Sequence, residues 1–447
     1  MSGTLGRRTV AAGDAPNESF GEGGGDIVSP AMARMNSSFD TDAYPGRPRI
    51  LFIGPGDSTH THAWIDLLEN EPFNVRVYIP PNMVSPPNNW KVKTYITAYD
   101  RAPLDPTIRK RLIDKGKAKR LVVRSLARAR NQRWNSSRYA EEWLAQVVRT
   151  WRPHIVHTFS LDAAEFYFVV RRDYHVGSEA KWVLQARGGA DLAWSHLDPE
   201  LREKIGQVLR ACDQLLSDNT QNFRIARELG VCEEQLSSIG TVPGTGGIDV
   251  RDLAARWDGL PSTRRVILWP KVYEWPWSKA LPIYEALKLS WDRIQPCEVD
   301  MLATTPDARM YYWTLPEHMR QACHLRDRVP RSEVLHAMTH ARVMLAPSLV
   351  DGTPNSMFEA MAAGALPIVS PLETIIPLVE DERNVLFARN LYPEEIAAAL
   401  IRAMTDDALV NEAAQRNLEL VKRIANRDEV RARVVKFYES LAGGAQV

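Results

Sequence analysis

The chain has 447 residues, of which 45% are hydrophobic and 25% charged, with 56 Lys plus Arg against 55 Asp plus Glu. These are the proportions of an ordinary globular protein; they exclude wholesale disorder, a coiled coil and any global pull toward nucleic acid or membrane. No run of 18 apolar residues occurs, so no helix is long enough to span a bilayer. The length suggests two or three domains at roughly 150 residues each. The four cysteines include no C-x-x-C pair, which indicates neither a zinc knuckle nor a redox motif and suits small buried hydrophobes in a reducing, cytoplasmic setting.

Residues 1–45 hold seven of the 25 glycines and no apolar periodicity. Such a segment cannot bury enough surface to offset its ordering entropy, and a disordered tail is expected. No apolar stretch follows Arg7-Arg8, so a signal peptide is not expected. Order is expected from RPRILFIGPG: a buried strand, then a tight turn at Gly54-Pro55-Gly56, then a helix through Trp64 and Leu68. Further strands are expected at 75–79, 154–158, 182–186 and 214–217, with helical spacing between them. The pattern restarts at 265–269, followed by a helix over 279–289 and strand candidates EVDML, CHLRD, RVMLAP, LPIVS and NVLFA. Strands alternating with helices predict an α/β chain of two Rossmann-like, doubly wound domains in series. Their expected limits are 46–255 and 264–425, and ligands of such sheets sit beyond the carboxyl ends of the strands.

The most informative stretch is APSLVDGTPNSMFEAMAAGALPIVS, residues 346–370. A strand ends at Pro347, a loop carries Asp351, a helix starts near Asn355-Ser356 and carries Glu359, and Gly364 ends it. A helix N-terminus exposes unpaired N–H groups and partial positive charge, which suits phosphate. A carboxylate one turn in, at Glu359, can accept hydrogen bonds from the vicinal hydroxyls of a ribose. Asp351, ahead of the helix, can reach a second hydroxylated ring. Two acids bracketing an anion-binding helix end is the logic of a nucleotide-sugar site.

This segment resembles the signature of the family-4 retaining glycosyltransferases of the GT-B fold: an acid, Gly, six residues, then Glu-Ala-Met-Ala, a small residue and Gly. The first acid is usually Glu and here is Asp351. The resemblance implies two domains facing across a cleft. The first would bind the acceptor, the second the nucleoside diphosphate sugar, and a last helix (426–447) would cross back to the first domain. It implies that Lys271 and Lys279 bind the diphosphate, with Asn355, Ser356 and Gly56 beside it, and that no metal or other cofactor is needed. Asp351 would hold the donor sugar and Glu359 the ribose. His157 stands at a position where the family usually has His. Arg187 stands where relatives carry a catalytically important His. Arg stays protonated and cannot act as a general base, but it can stabilise negative charge or pair with Asp191. His60, His62, His157 and Asp191 would face the acceptor, which is a glycan, a lipid-linked sugar or a small-molecule glycoside. The alternatives are a degenerate, non-catalytic partner subunit and a nucleotide-sugar epimerase on the same fold.

Residues 109–133 hold eleven basic residues and one acid, Asp114. A basic amphipathic helix there could dock on anionic membrane from the cytosolic face; a solvated helix packed on the first domain is the plainer reading. No nucleic-acid motif occurs.

Overall fold

The central strands of the first sheet, RILFI and IVHTF, are mostly apolar, as expected where helices cover both faces. The computed structural model describes residues 42–56, 58–80, 94–97, 109–111 and 138–443. Strands β1 (Arg49–Ile53), β2 (Asn74–Ile79), β3 (Thr94–Thr97), β4 (Arg109–Arg111), β5 (Ile155–Phe159), β6 (Lys181–Ala186), β7 (Gln214–Ser217) and β8 (Leu236–Thr241) form one sheet in the order β4-β3-β2-β1-β5-β6-β7-β8. Strands β9 (Val266–Trp269), β10 (Glu298–Met301), β11 (Cys323–Leu325), β12 (Ala341–Leu345), β13 (Leu366–Val369) and β14 (Leu386–Phe387) form a second, ordered β11-β10-β9-β12-β13-β14. All of their pairings are parallel. The order reverses between β1 and β5 in one sheet and between β9 and β12 in the other. These are the switch points at which doubly wound sheets open a crevice for ligands.

The expected α/β, doubly wound architecture is therefore present. Arg109–Arg111, read from sequence as the start of a basic helix, instead pairs with β3 as the edge strand. The rest of 112–133, with the membrane-docking reading, lies outside the described residues, as does the expected tail up to residue 41. Order begins before the expected boundary: Asp42 binds Arg49 Nε at 2.7 Å and Trp151 Nε1 at 2.9 Å. Among the described residues no helix is long and apolar enough to cross a membrane.

The chain passes between the sheets twice, and the two passages are bonded to each other. Ile248 N donates to Ala425 O, and Arg427 N donates to Ile248 O. Arg427 also reaches Thr245 O and Ala63 O. The helix Arg427–Gly443 then packs on the first sheet, with Val430, Val434 and Phe437 in the cluster that holds Ile50 and Phe52.

The helix Asn355–Ala362 is held in the second domain by small residues. Ala360, Ala362, Ala363 and Ala365 are all at most 1% exposed, which lets its backbone lie close to its neighbours. It ends in a Schellman motif: Ala365 N donates to Ala360 O, and Gly364 N donates to Met361 O. Gly364 has φ +81°, and a methyl group there would lie 2.9 Å from Trp257 Cε2. Trp257 in turn donates Nε1 to Ala362 O at 2.7 Å. Gly240 has φ +66° with open space around it. We expect Gly240→Ala to cost about 1 kcal/mol of left-handed strain. Gly364→Ala should cost about 3 kcal/mol, because overlap with Trp257 adds to the strain. The urea midpoints of the two variants measure the difference.

Candidate functional site

The carboxyl ends of the two sheets face one cavity of about 550 Å³. The first domain contributes the ends of β6 and β7 through Arg187, Gly188 and Asp218, with Thr59, His60, Gly244 and Thr245 from neighbouring loops. The second contributes Pro270 and Lys271 after β9, Arg328 and Arg331 after β11, and Asp351 to Glu359 after β12. Parallel strands all deliver their following loops to the same edge, so residues far apart in sequence meet here.

The helix Asn355–Ala362 presents its N-terminus to this space, and no side chain caps it. Asn355 and Ser356 line the cavity. Glu359, buried at 7% exposure, sits one turn in and bonds Arg331 Nη2 at 2.5 Å. Asp351 lies ahead of the helix; burial raises its carboxyl, and the nearby charge of Lys271 opposes that rise. Thr353 Oγ1 is buried in the same wall and has no hydrogen-bond partner. A smaller adjoining space of about 120 Å³ shares Lys271, Asp351 and Ser356 and is closed by Trp277 and Ser348.

Seven expected site residues thus come together: Asp351, Lys271, Arg187, Asn355, Ser356, Glu359 and His60. Five others stand outside the cavity wall. The Lys279 ammonium is 2.9 Å from Glu274, and its backbone N–H is taken by Asn390, because the loop from Val272 to Ser278 turns it aside. Gly56 is held back in its turn, where the His62 ring bonds its carbonyl oxygen. His157 is a core residue: it is fully buried, its ring packs at a tilt against Phe52 and Phe159, and its Nδ1 is 2.6 Å from Tyr438 Oη. Burial, with Arg187 adding to it, pushes its pKa well below the usual range. Asp191 accepts backbone N–H bonds from Leu161 at 3.2 Å and Arg187 at 3.4 Å, and burial raises it to about 6.

Arg187 therefore meets Asp191 through its backbone. Its guanidinium lies 4.3 Å over the Phe159 ring, with long contacts to Thr61 Oγ1 and Gln185 Oε1, both at 3.5 Å. Its Nε is buried without a partner, and burial lowers the group to about 10, which still leaves it charged near neutrality. The His60 ring is open to the cavity. Even so, the enclosing walls first, and then Arg187, Lys271 and Arg331, lower it to about 4, so it is neutral.

Three cavity groups escape a reading of the sequence. Arg328 and Arg331 follow β11, where the only signal is a run of basic residues after a strand. Asp218 follows β7 directly. It is 8% exposed, and burial raises its carboxyl to about 7, with the charge of Asp351 contributing. An acid placed immediately after an apolar strand was the available signal. Among the described residues no group of three His, Cys, Asp or Glu side chains is placed to hold a metal ion.

Residues 285–406 match the model of the family described as glycosyl transferases group 1. No curated protein sequence matches the chain. Among solved structures, sucrose-phosphate synthase from Thermosynechococcus elongatus is similar at TM-score 0.63 and 14% identity, over 89% of this chain and 100% of that one. HepE from Anabaena, in complex with UDP-glucose, is similar at 0.61 and 11%, over 88% and 99%. A putative UDP-N-acetylglucosamine 2-epimerase from Listeria monocytogenes is similar at 0.55 and 13%, over 88% and 96%. The shared architecture is the GT-B fold.

Tyr438 ties the last helix to the wall behind the cavity, since its hydroxyl accepts Trp64 Nε1 at 2.9 Å and meets His157 Nδ1. Tyr438→Phe should strand both buried nitrogens and cost about 2 kcal/mol, read as a lower urea midpoint.

Proposed function

We propose that this chain is a retaining glycosyltransferase that moves a sugar from a nucleoside diphosphate sugar to a hydroxyl of a glycan, glycolipid or small-molecule glycoside. The observation that carries the reading is one helix N-terminus, uncapped and bracketed by Asp351 and Glu359, that shares its cavity with Lys271, Arg328 and Arg331. The neighbouring HepE structure was solved with UDP-glucose, which supports a nucleotide-sugar donor.

In this reading the diphosphate lies against the Asn355 and Ser356 N–H groups. Lys271 and the two arginines offset its charge, with Arg328 and Arg331 in the place expected of Lys279. These groups act most strongly as negative charge builds on the departing diphosphate. Glu359 accepts hydrogen bonds from the ribose hydroxyls, which must share or displace Arg331. Asp351 holds a hydroxyl of the donor sugar. The bond from the sugar's anomeric carbon to the diphosphate breaks, and the acceptor oxygen bonds to that carbon from the same face. The leaving diphosphate helps take the acceptor's proton, and no protein nucleophile is needed. Arg187 supplies a fixed positive charge from the first domain.

An epimerase is the competing reading, favoured by the Listeria neighbour. It would convert a nucleotide sugar without passing the sugar to an added alcohol. Proton NMR of the product decides: a glycoside with the donor's anomeric configuration is expected. An inverted glycoside would overturn the retaining mechanism, and an epimerised nucleotide sugar would overturn the transferase.

Titration calorimetry with UDP tests the donor side. Glu359→Ala should weaken binding about ten- to a hundredfold, since a charge-assisted bond contributes about 1.5–3 kcal/mol. Lys271→Ala should weaken it about tenfold, while Lys279→Ala should stay within about twofold because Glu274 holds that ammonium. Asp351→Asn should cut turnover about a hundredfold and leave UDP affinity nearly intact, because it acts on the sugar.

A further inference from the structure

Gly244 lines the cavity together with Asp218, Asn355 and His60, and its lack of a side chain leaves their polar atoms facing the space above it. A methyl placed on Gly244 would lie 3.5 Å from Asp218 Oδ2 and 3.7 Å from both Asn355 Nδ2 and His60 Nδ1. Three polar atoms from both domains therefore surround the space beyond the Gly244 Cα, where an alanine methyl would touch all three. Two of them are aimed there by a bond elsewhere. Thr245 Oγ1 donates to Asn355 Oδ1 at 3.0 Å, which turns the amide nitrogen, a donor, toward the pocket. Asn219 Nδ2 satisfies Asp218 Oδ1 at 2.7 Å. That leaves Asp218 Oδ2 with only a 3.5 Å contact from Gly188 N.

A hydroxyl is the group that suits an acceptor, a donor and a neutral imidazole facing one space. It donates its proton to one partner and accepts on its lone pairs from another. A carboxylate guest would be repelled by Asp218, and an ammonium would meet Arg187 and Lys271. We propose that this pocket seats the reacting hydroxyl of the sugar acceptor. Asp218 Oδ2 accepts its hydrogen bond, Asn355 Nδ2 donates to its oxygen, and His60 closes the third side. The inference rests on the glycosyltransferase reading and deepens it by naming where the acceptor oxygen is held. Asn355 belongs to the helix that would hold the diphosphate, so the hydroxyl sits within reach of the leaving group.

The charged and titratable groups around Asp218 are Arg187 and Asp351; those around His60 are Arg187, Lys271 and Arg331. Only the ionised form of Asp218 presents acceptors alone. Its carboxyl is raised to about 7, so the hydroxyl loses this partner as pH falls through 7.

The test uses the full chain and the nucleotide sugar it hydrolyses fastest from a panel of UDP-, GDP- and ADP-hexoses. Water and then glycerol serve as the hydroxyl probe, and affinity for the matching nucleoside diphosphate is measured by calorimetry. Gly244→Ala places a methyl in van der Waals contact with all three polar atoms and crowds a guest between them. It should lower transfer to water and glycerol at least tenfold while diphosphate affinity changes less than twofold. Asp218→Asn should lower transfer about a hundredfold and flatten the decline of rate below pH 7 expected of the wild type. If neither variant changes transfer, the hydroxyl seat is wrong and the glycosyltransferase reading survives. If Gly244→Ala weakens diphosphate binding tenfold, the pocket belongs to the donor and the inference falls. If the wild type hydrolyses none of the panel, both readings fall together.

Discussion

At one point the two domains leave no room for a side chain. A methyl on Gly352 would lie 2.7 Å from Gly188 Cα and 2.9 Å from Asp218 Oδ2. Gly352 follows Asp351 in the second domain, while Gly188 and Asp218 follow Arg187 and β7 in the first. Backbone contact here brings the acid loop of one sheet against the strand ends of the other. The burial that raises Asp351 and Asp218 follows from it, as does their influence on each other. So does the enclosure that keeps His60 neutral beside three cations. Charges held this close in a shielded space act far more strongly than they would in open water.

The arrangement of charge suits a guest that carries both anionic and hydroxylated parts. Lys271, Arg328 and Arg331 lie in the second domain with the helix N-terminus, and Arg187 faces them from the first. Carboxylates stand at the margins: Glu359 deep on the helix, Asp351 before it, and Asp218 opposite. Glu359 does not wait unpaired, since Arg331 holds it at 2.5 Å. A buried acid without a partner would be costly, and the half-exposed Arg331 supplies that partner.

The segment from 346 to 370 was legible because its meaning is local. Strand, loop, helix start, glycine stop and next strand follow within 25 residues, and the helix period itself places Glu359. Lys271 was legible for the same reason, being the first residue to emerge beyond a strand and its proline. Lys279 was not, because its fate depends on Glu274 and Asn390, the latter 111 residues away. His157 read as a cleft residue because the resembling family usually carries His at that position, yet it stands mid-strand in β5. Its ring instead points into the core, where Tyr438, 281 residues later, supplies a partner. Asp218 and Arg331 carry no motif; only the parallel stacking of strands brings them to the same edge. Arg109–Arg111 read as helical from charge and spacing, yet an open sheet edge offers backbone bonds that composition does not reveal.

The doubled passage between the sheets has a mechanical consequence. A single linker would let the domains swivel, slide and twist against each other. Here two segments run side by side and are bonded through Ile248, Ala425 and Arg427. Gly247 sits beside them with φ +91°, and a methyl there would lie 2.7 Å from Ala425 O. Such a pair behaves like the spine of a book: it resists shear and torsion and leaves one soft degree of freedom, rotation about its own line. Parting of the cleft is then expected to follow that line, which would return the same residues to the same register on closing.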